Sequence, residues 1–161
     1  MDFINMSYDL FKDKDTLKSK FIAADIFDPE SDLKQLNGQI SMVFTGAFFH
    51  LFDWEEQFTV AKRIVSLLDP TKEALILGRQ VGNLTAREYS RHQFSANQHK
   101  TRFRHNPESW SEFWDKVGEA TGTKWSVKAH LSEIPNFENT VGTEWNPKDS
   151  SLLTFSVRQV R

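Results

Sequence analysis

Cysteine is absent from this 161-residue chain, which excludes disulfides and thiolate metal sites. Glycine is scarce. The seven glycines, at positions 38, 46, 78, 82, 118, 122 and 142, include no G-x-G pair. No apolar run approaches the roughly 20 residues that a membrane-spanning helix needs, and no signal-peptide pattern is visible, so a cytosolic protein without membrane contact is expected. An excess of one charge is also missing: 20 basic against 22 acidic side chains leave a net charge of −2, and no global field draws the chain to nucleic acid. What the chain does have is apolar and aromatic content, 39% hydrophobic with 14 phenylalanines and 5 tryptophans. That suffices for the core of one domain over residues 1–161.

Asp15-Thr16 can cap a following turn, so a helix is expected over Asp13 to Ser19. "FIAADIF", Phe21 to Phe27, closes on Asp28-Pro29 and reads as a buried strand ending at a turn. A short helix in "ESDLKQLNG" stops at Asn37-Gly38, and "QISMVFTGAFF" is the next buried strand. Asp53 and Glu56 then form a capping box, in which each side chain satisfies a backbone amide near the other. Trp54, Phe58, Ala61, Ile64, Val65 and Leu68 follow on one helical face that ends at Asp69-Pro70. His50, in the connection between strand and helix, is not explained by that cap.

A third apolar run, "EALILG", precedes a polar stretch from Arg79 to Asn106. Asn106-Pro107 reads as a helix cap and first-turn pair, with Trp110, Phe113, Trp114, Val117 and Ala120 on one face and Thr121-Gly122 as the stop. Trp125, Val127, Ala129 and Leu131 alternate as a strand should, and so do Leu153, Phe155 and Val157. Together these elements predict an α/β fold, a mostly parallel sheet with an antiparallel C-terminal edge.

"ADIFDP", "FTGAFFHLFDWEEQ", "ALILGRQVG", "FRHNPESW" and "TGTKW", taken in order, resemble the class I S-adenosylmethionine-dependent methyltransferases, especially fungal natural-product enzymes. The resemblance runs from about Tyr8 to the C-terminus. It implies a truncated Rossmann-like methyltransferase fold. The family's sheet order is 3-2-1-4-5-7-6, and Phe21 to Phe27 resembles strand three, Ile40 to Phe48 strand four and Ala74 to Gly78 strand five, with the last two alternating segments as six and seven. Strands one and two have no counterpart, and with them go the glycine-rich turn and the ribose-binding acid. Their loss leaves a gap of roughly 10 Å in the sheet at the usual strand spacing. An apolar edge of this kind favours pairing with another chain, so a homo-oligomer, such as a strand-exchanged dimer, is expected.

His50 follows strand four at its carboxyl end, where open α/β sheets bind ligands, and could move a proton at a substrate hydroxyl or enol; a histidine hydrogen-bonded at a helix start is the competing reading. Asp25, Ile26 and Phe27 resemble the family segment that contacts adenine, against a plain strand end. Residues 79–106 read either as a lid or acceptor-binding insert, offering Arg79, Arg104 and His105 to an enolate or carboxylate, or as a solvated loop. His92, His99 and His105 lack metal-ligand spacing. Phe49, Trp54, Gln80, Trp110 and Trp114 are the candidates to line a pocket for a hydrophobic polyketide or terpenoid, although aromatic stripes at helical spacing are usually core.

The expected function is therefore a natural-product enzyme that catalyses cyclisation or isomerisation without a cofactor. Two alternatives stand beside it: an S-adenosylmethionine-dependent methyltransferase completed by a second chain, and a non-catalytic partner or remnant.

Overall fold

The computed structural model describes residues 3–90, 101–134 and 148–160. In chain order the elements are α1 (Phe3–Phe11), β1 (Met42–Gly46), α2 (Trp54–Leu67), β2 (Leu75–Asn83), β3 (Arg87–Ser90), β4 (Thr101–Arg104), α3 (Pro107–Thr121), β5 (Trp125–Ser132) and β6 (Ser150–Gln159). Four strands form one sheet in the order β1-β2-β6-β5, and β3 pairs with β4 in a separate antiparallel ribbon. β1 and β2 are parallel and joined by α2, while β6 runs antiparallel to both β2 and β5. This α/β architecture with an antiparallel C-terminal edge is the one the sequence predicts, and the order reproduces the 4-5-7-6 half of the family sheet.

Both long helices begin where the sequence places their caps. Asp53 Oδ1 accepts from the Glu56 amide at 2.8 Å, and Glu56 Oε2 accepts from the Asp53 amide at 3.4 Å. Asn106 Oδ1 accepts from the Ser109 amide at 2.9 Å ahead of Pro107, and α3 stops at Gly122, whose φ of 66° is the left-handed conformation glycine adopts without strain. The two helices cover one face of the sheet. There Ile76, Leu153, Phe155 and Val157 form a single buried cluster with Val60, Ile64, Trp110, Phe113 and Trp114. Gly78 lies at a close approach in this layer, since a Cβ on it would sit 2.4 Å from Thr45 O and 2.5 Å from the Phe155 ring.

Two expected elements are not formed. Phe21 to Phe27 is no strand, because among the described residues β1 pairs with β2 alone and offers this run no ladder. The first helix lies at Phe3–Phe11, with only a turn at 14–16 where the helix over Asp13 to Ser19 was expected. The other face of the sheet is open beside β1, where Met42 is 60% and Phe44 69% exposed. Leu75 and Leu77, half-buried, stand next to them in register. No helix among the described residues is long and apolar enough to cross a membrane.

Candidate functional site

β1 and β2 point their carboxyl ends the same way, with Gly46 opposite Arg79, and ligands bind open α/β sheets at that end. The chain leaves β1 through Ala47, whose positive φ of 51° turns it back so that its amide donates to Arg79 O at 2.7 Å. A short 3₁₀ turn, Phe49–Leu51, follows and leads into the Asp53 cap. His50 sits in that turn and is buried, and its Nδ1 has no hydrogen-bond partner among the described residues. Burial first, and then the positive charges of Arg104 and Arg102, lower its pKa to about 4. The ring is therefore a neutral imidazole near pH 7.

β4 is brought against this turn by backbone and side chain together. The Phe103 amide donates to Phe52 O at 2.9 Å, and Gln57 Nε2 donates to Phe52 O at 3.0 Å and to Phe103 O at 2.8 Å. The end of β2 joins them where the Asn83 amide donates to His105 O at 3.0 Å. Arg104 is buried in this junction. Its Nη1 donates to Ser150 Oγ at 2.8 Å and to Asn83 Oδ1 at 3.5 Å, and its guanidinium lies 4.8 Å from the centre of the Tyr89 ring. Asn83 Nδ2 in turn donates to the Tyr89 hydroxyl. Burial lowers the Arg104 pKa, and the guanidinium still carries its charge at neutral pH.

Gln80 projects from β2 on the helix-covered face and is 2% exposed, yet neither amide atom has a partner among the described residues. An unmet buried amide costs about 1–3 kcal/mol, so this group, His50 Nδ1 and Gln57 Oε1 are among the buried polar atoms here with capacity to meet a ligand. His50 and Arg104 thus stand within electrostatic reach of each other at the loop end of the sheet, and Gln80 lies on β2 one residue beyond the Gly46–Arg79 pair. Arg79, one residue from Gln80, points to the opposite face and is exposed, so it does not join them.

His105 does not join them either. It is 0% exposed, its Nδ1 lies 2.9 Å from Ser109 Oγ, and its ring is packed by Phe103, Trp110, Phe113 and Trp54 at 4.7–5.4 Å between centres. Burial drives its pKa down to about 3, which makes it a neutral member of the aromatic core. Phe49, Trp110 and Trp114 are likewise fully buried in the core cluster, Trp110 and Trp114 from α3 and Phe49 from the 3₁₀ turn, and Trp114 also borders a surface cleft with Gly118, Thr123 and Trp125 at the end of α3. Trp54 is half-buried at the start of α2 between Phe103 and Phe113, with Lys116 Nζ 5.0 Å from its ring centre. Asp25 Oδ1 accepts from the Phe27 amide at 2.9 Å, Ile26 packs on the core, and the Phe27 ring meets Phe52 edge-on at 5.2 Å. His92 and His99 lie outside the described residues. Gln57 and Asn83 were not singled out from the sequence. For Gln57 the signal was present, since it stands three residues from Trp54 and four from Ala61 on the apolar stripe of α2.

No family model matches the chain. Its sequence is 39% identical over 98% of its length to "O-methyltransferase phiE" of Fungal sp. (strain ATCC 74256), covering 55% of that protein. It is 35% identical over 97% of its length to "O-methyltransferase atr3" of Stereocaulon alpinum, covering 43%. It is also 35% identical over 86% of its length to the Asnovolin E/Chermesin D methyltransferase nvfJ of Aspergillus novofumigatus, covering 49%. The chain thus spans about half the length of the curated relatives it matches. Among solved structures, the Burkholderia thailandensis 1,6-didemethyltoxoflavin-N1-methyltransferase with bound S-adenosylhomocysteine shares its fold. The TM-score is 0.62 at 11% identity, with 96% of this chain and 56% of that one covered.

These likenesses place the fold with the methyltransferases and overturn the expectation that no cofactor is involved, because the relatives are methyltransferases and the solved neighbour holds the spent methyl donor. The residues present here do not by themselves make a cradle for that donor. The sequence has no G-x-G turn to let a backbone approach it, and Asp25 stands on an exposed segment outside the sheet.

Proposed function

We propose that this chain forms the acceptor-binding side of an S-adenosylmethionine-dependent O-methyltransferase that acts on a hydrophobic fungal natural product, the donor-binding side being supplied by further polypeptide. The observation that carries this reading is the 39% identity to an O-methyltransferase over nearly the whole chain. The loop-end cluster supports it. Methylation of oxygen requires that the acceptor hydroxyl give up its proton, and His50, neutral with Nδ1 unengaged, is the base in position to take it. Arg104 and Arg102 provide the positive field that favours the resulting oxyanion. Methyl transfer to a hydroxyl releases one proton overall, and because the same field disfavours a charged imidazolium, His50 hands that proton to solvent water and returns to its neutral form. Gln80, able to donate and to accept, orients a polar group on the acceptor.

The test joins this chain, in one polypeptide, to the portion of O-methyltransferase phiE that it leaves unmatched. S-adenosylhomocysteine binding is followed by calorimetry, and transfer of labelled methyl to phenolic acceptors is followed by extraction. Binding and transfer are expected, with His50→Ala lowering transfer about 100-fold or more at unchanged S-adenosylhomocysteine affinity. Binding without transfer to any acceptor, or full transfer by His50→Ala, would count against the reading.

A further inference from the structure

Among the described residues Arg104 is the one buried side chain that keeps a permanent charge, and its surroundings are crowded with charge. In the β3-β4 ribbon it stands directly opposite Arg87, and like charges in that relation repel. Two arrangements hold the pair. In the first, Arg87 Nη2 reaches both carboxylate oxygens of Asp149 at 3.1 Å, while Arg104 Nη1 donates to the hydroxyl of the next residue, Ser150. The second is Tyr89. Both guanidinium groups lie over its ring, Arg87 at 5.0 Å and Arg104 at 4.8 Å from the centre, inside the roughly 6 Å at which a ring face attracts a cation. The Tyr89 hydroxyl is occupied otherwise, accepting from Asn83 Nδ2, and burial raises its pKa above the ordinary phenol value. Its ring, and not its proton, is therefore what serves the arginines.

We infer that Tyr89 is a positioning residue that acts through Arg104: its ring seats the guanidinium and so fixes where that charge stands relative to His50. The inference rests on the proposed function above, in which the same charge favours the acceptor oxyanion. The groups concerned are few. Arg104 and Arg102 are the charges that act on His50, and Tyr89, Arg102, Asp149 and Arg87 are the groups that act on Arg104. With the ring removed, repulsion from Arg87 and attraction to Asp149 are left to decide where the Arg104 side chain lies. The hydrogen bonds to Ser150 Oγ and, at 3.5 Å, to Asn83 Oδ1 hold only one guanidinium nitrogen, Nη1, whereas the ring meets the group as a plane. Tyr89 thus supplies the contact that restrains its tilt.

The His50 ring reports that position. Its titration is followed by NMR on the full chain, its signal being identified by its loss in His50→Gln, and near-ultraviolet circular dichroism marks the pH range and the variants that keep the fold. The midpoint of the unaltered chain is expected at about 4. Tyr89→Leu should raise it by about half a pH unit, roughly a three-fold gain in proton affinity, and Tyr89→Phe, which keeps the ring, should leave it in place. Arg104→Met should raise it at least as far, and adding Tyr89→Leu to Arg104→Met should raise it no further. Where Tyr89→Leu does not fold, phenylalanines of increasing fluorination at position 89 keep the ring's shape while weakening its attraction for cations, and the midpoint should climb along that series. An unchanged midpoint in Tyr89→Leu or along the series, an equal rise in Tyr89→Phe, or the same rise from Tyr89→Leu in a chain already lacking Arg104 would each overturn the inference. No methyl transfer enters the measurement. A negative result therefore leaves the proposed function standing, and an inactive fusion leaves the role of Tyr89 standing.

Discussion

Phe155 and Phe44 are both strand phenylalanines of one sheet, and they lie in opposite conditions. Phe155 faces α3, is 4% exposed and meets Trp110 at 4.7 Å between ring centres, whereas Phe44 faces away from the helices and is 69% exposed. Composition alone does not distinguish them. What differs is the covering layer, which the described residues provide on the helix-bearing face and not over Phe44.

That difference can be broken experimentally. Phe155→Ala should cost about 3–5 kcal/mol in chemical denaturation, because α3 and its tryptophans cannot collapse into the space. Acid should act next, and on the covered layer. His105 within it and His50 at its loop end titrate near 3 and 4 in the folded chain against 6.5 unfolded. Between those values the unfolded state binds more protons, so the stability these rings contribute is complete above about pH 7 and is lost as pH falls. A loss on the order of 3 kcal/mol between pH 8 and pH 5 should appear in denaturant midpoints, and His105→Phe should remove about half of it. Phe44→Ala should change the stability of the isolated chain by less than about 0.5 kcal/mol. A large loss at Phe44 would mean that the open face is covered after all.

The sequence was most legible where a local rule decides the outcome. Asp53 with Glu56 and Asn106 with Pro107 mark helix starts by backbone chemistry that needs no distant partner. Alternation in β5 and β6 was readable because each has one face on the core and one outward, and the two pair with each other. Phe21 to Phe27 misled because an apolar run makes a strand only when a neighbour offers a ladder, and β1 takes only β2. The β3-β4 ribbon was hidden in a polar stretch with no apolar alternation to announce it. Of the candidate site, His50 and Arg104 stand within electrostatic reach of each other, and Gln80 lies on β2 near the loop end of the sheet. His105, Phe49, Trp110 and Trp114 are buried in the core, and for Trp110 and Trp114 helical spacing shows which face a residue takes and not whether that face meets a cavity.

Gln57 gives the loop end a property that none of those residues has alone. Its single amide grips the carbonyls of Phe52 and Phe103, one just before α2 and the other on β4, far along the chain. The gap between the turn bearing His50 and the strand bearing Arg104 is therefore gauged by a helix and not by the rotamers of the two functional side chains. In the proposed enzyme, a new acceptor is accommodated by trimming the residues that line the gap, since widening it would first require releasing that amide from both carbonyls.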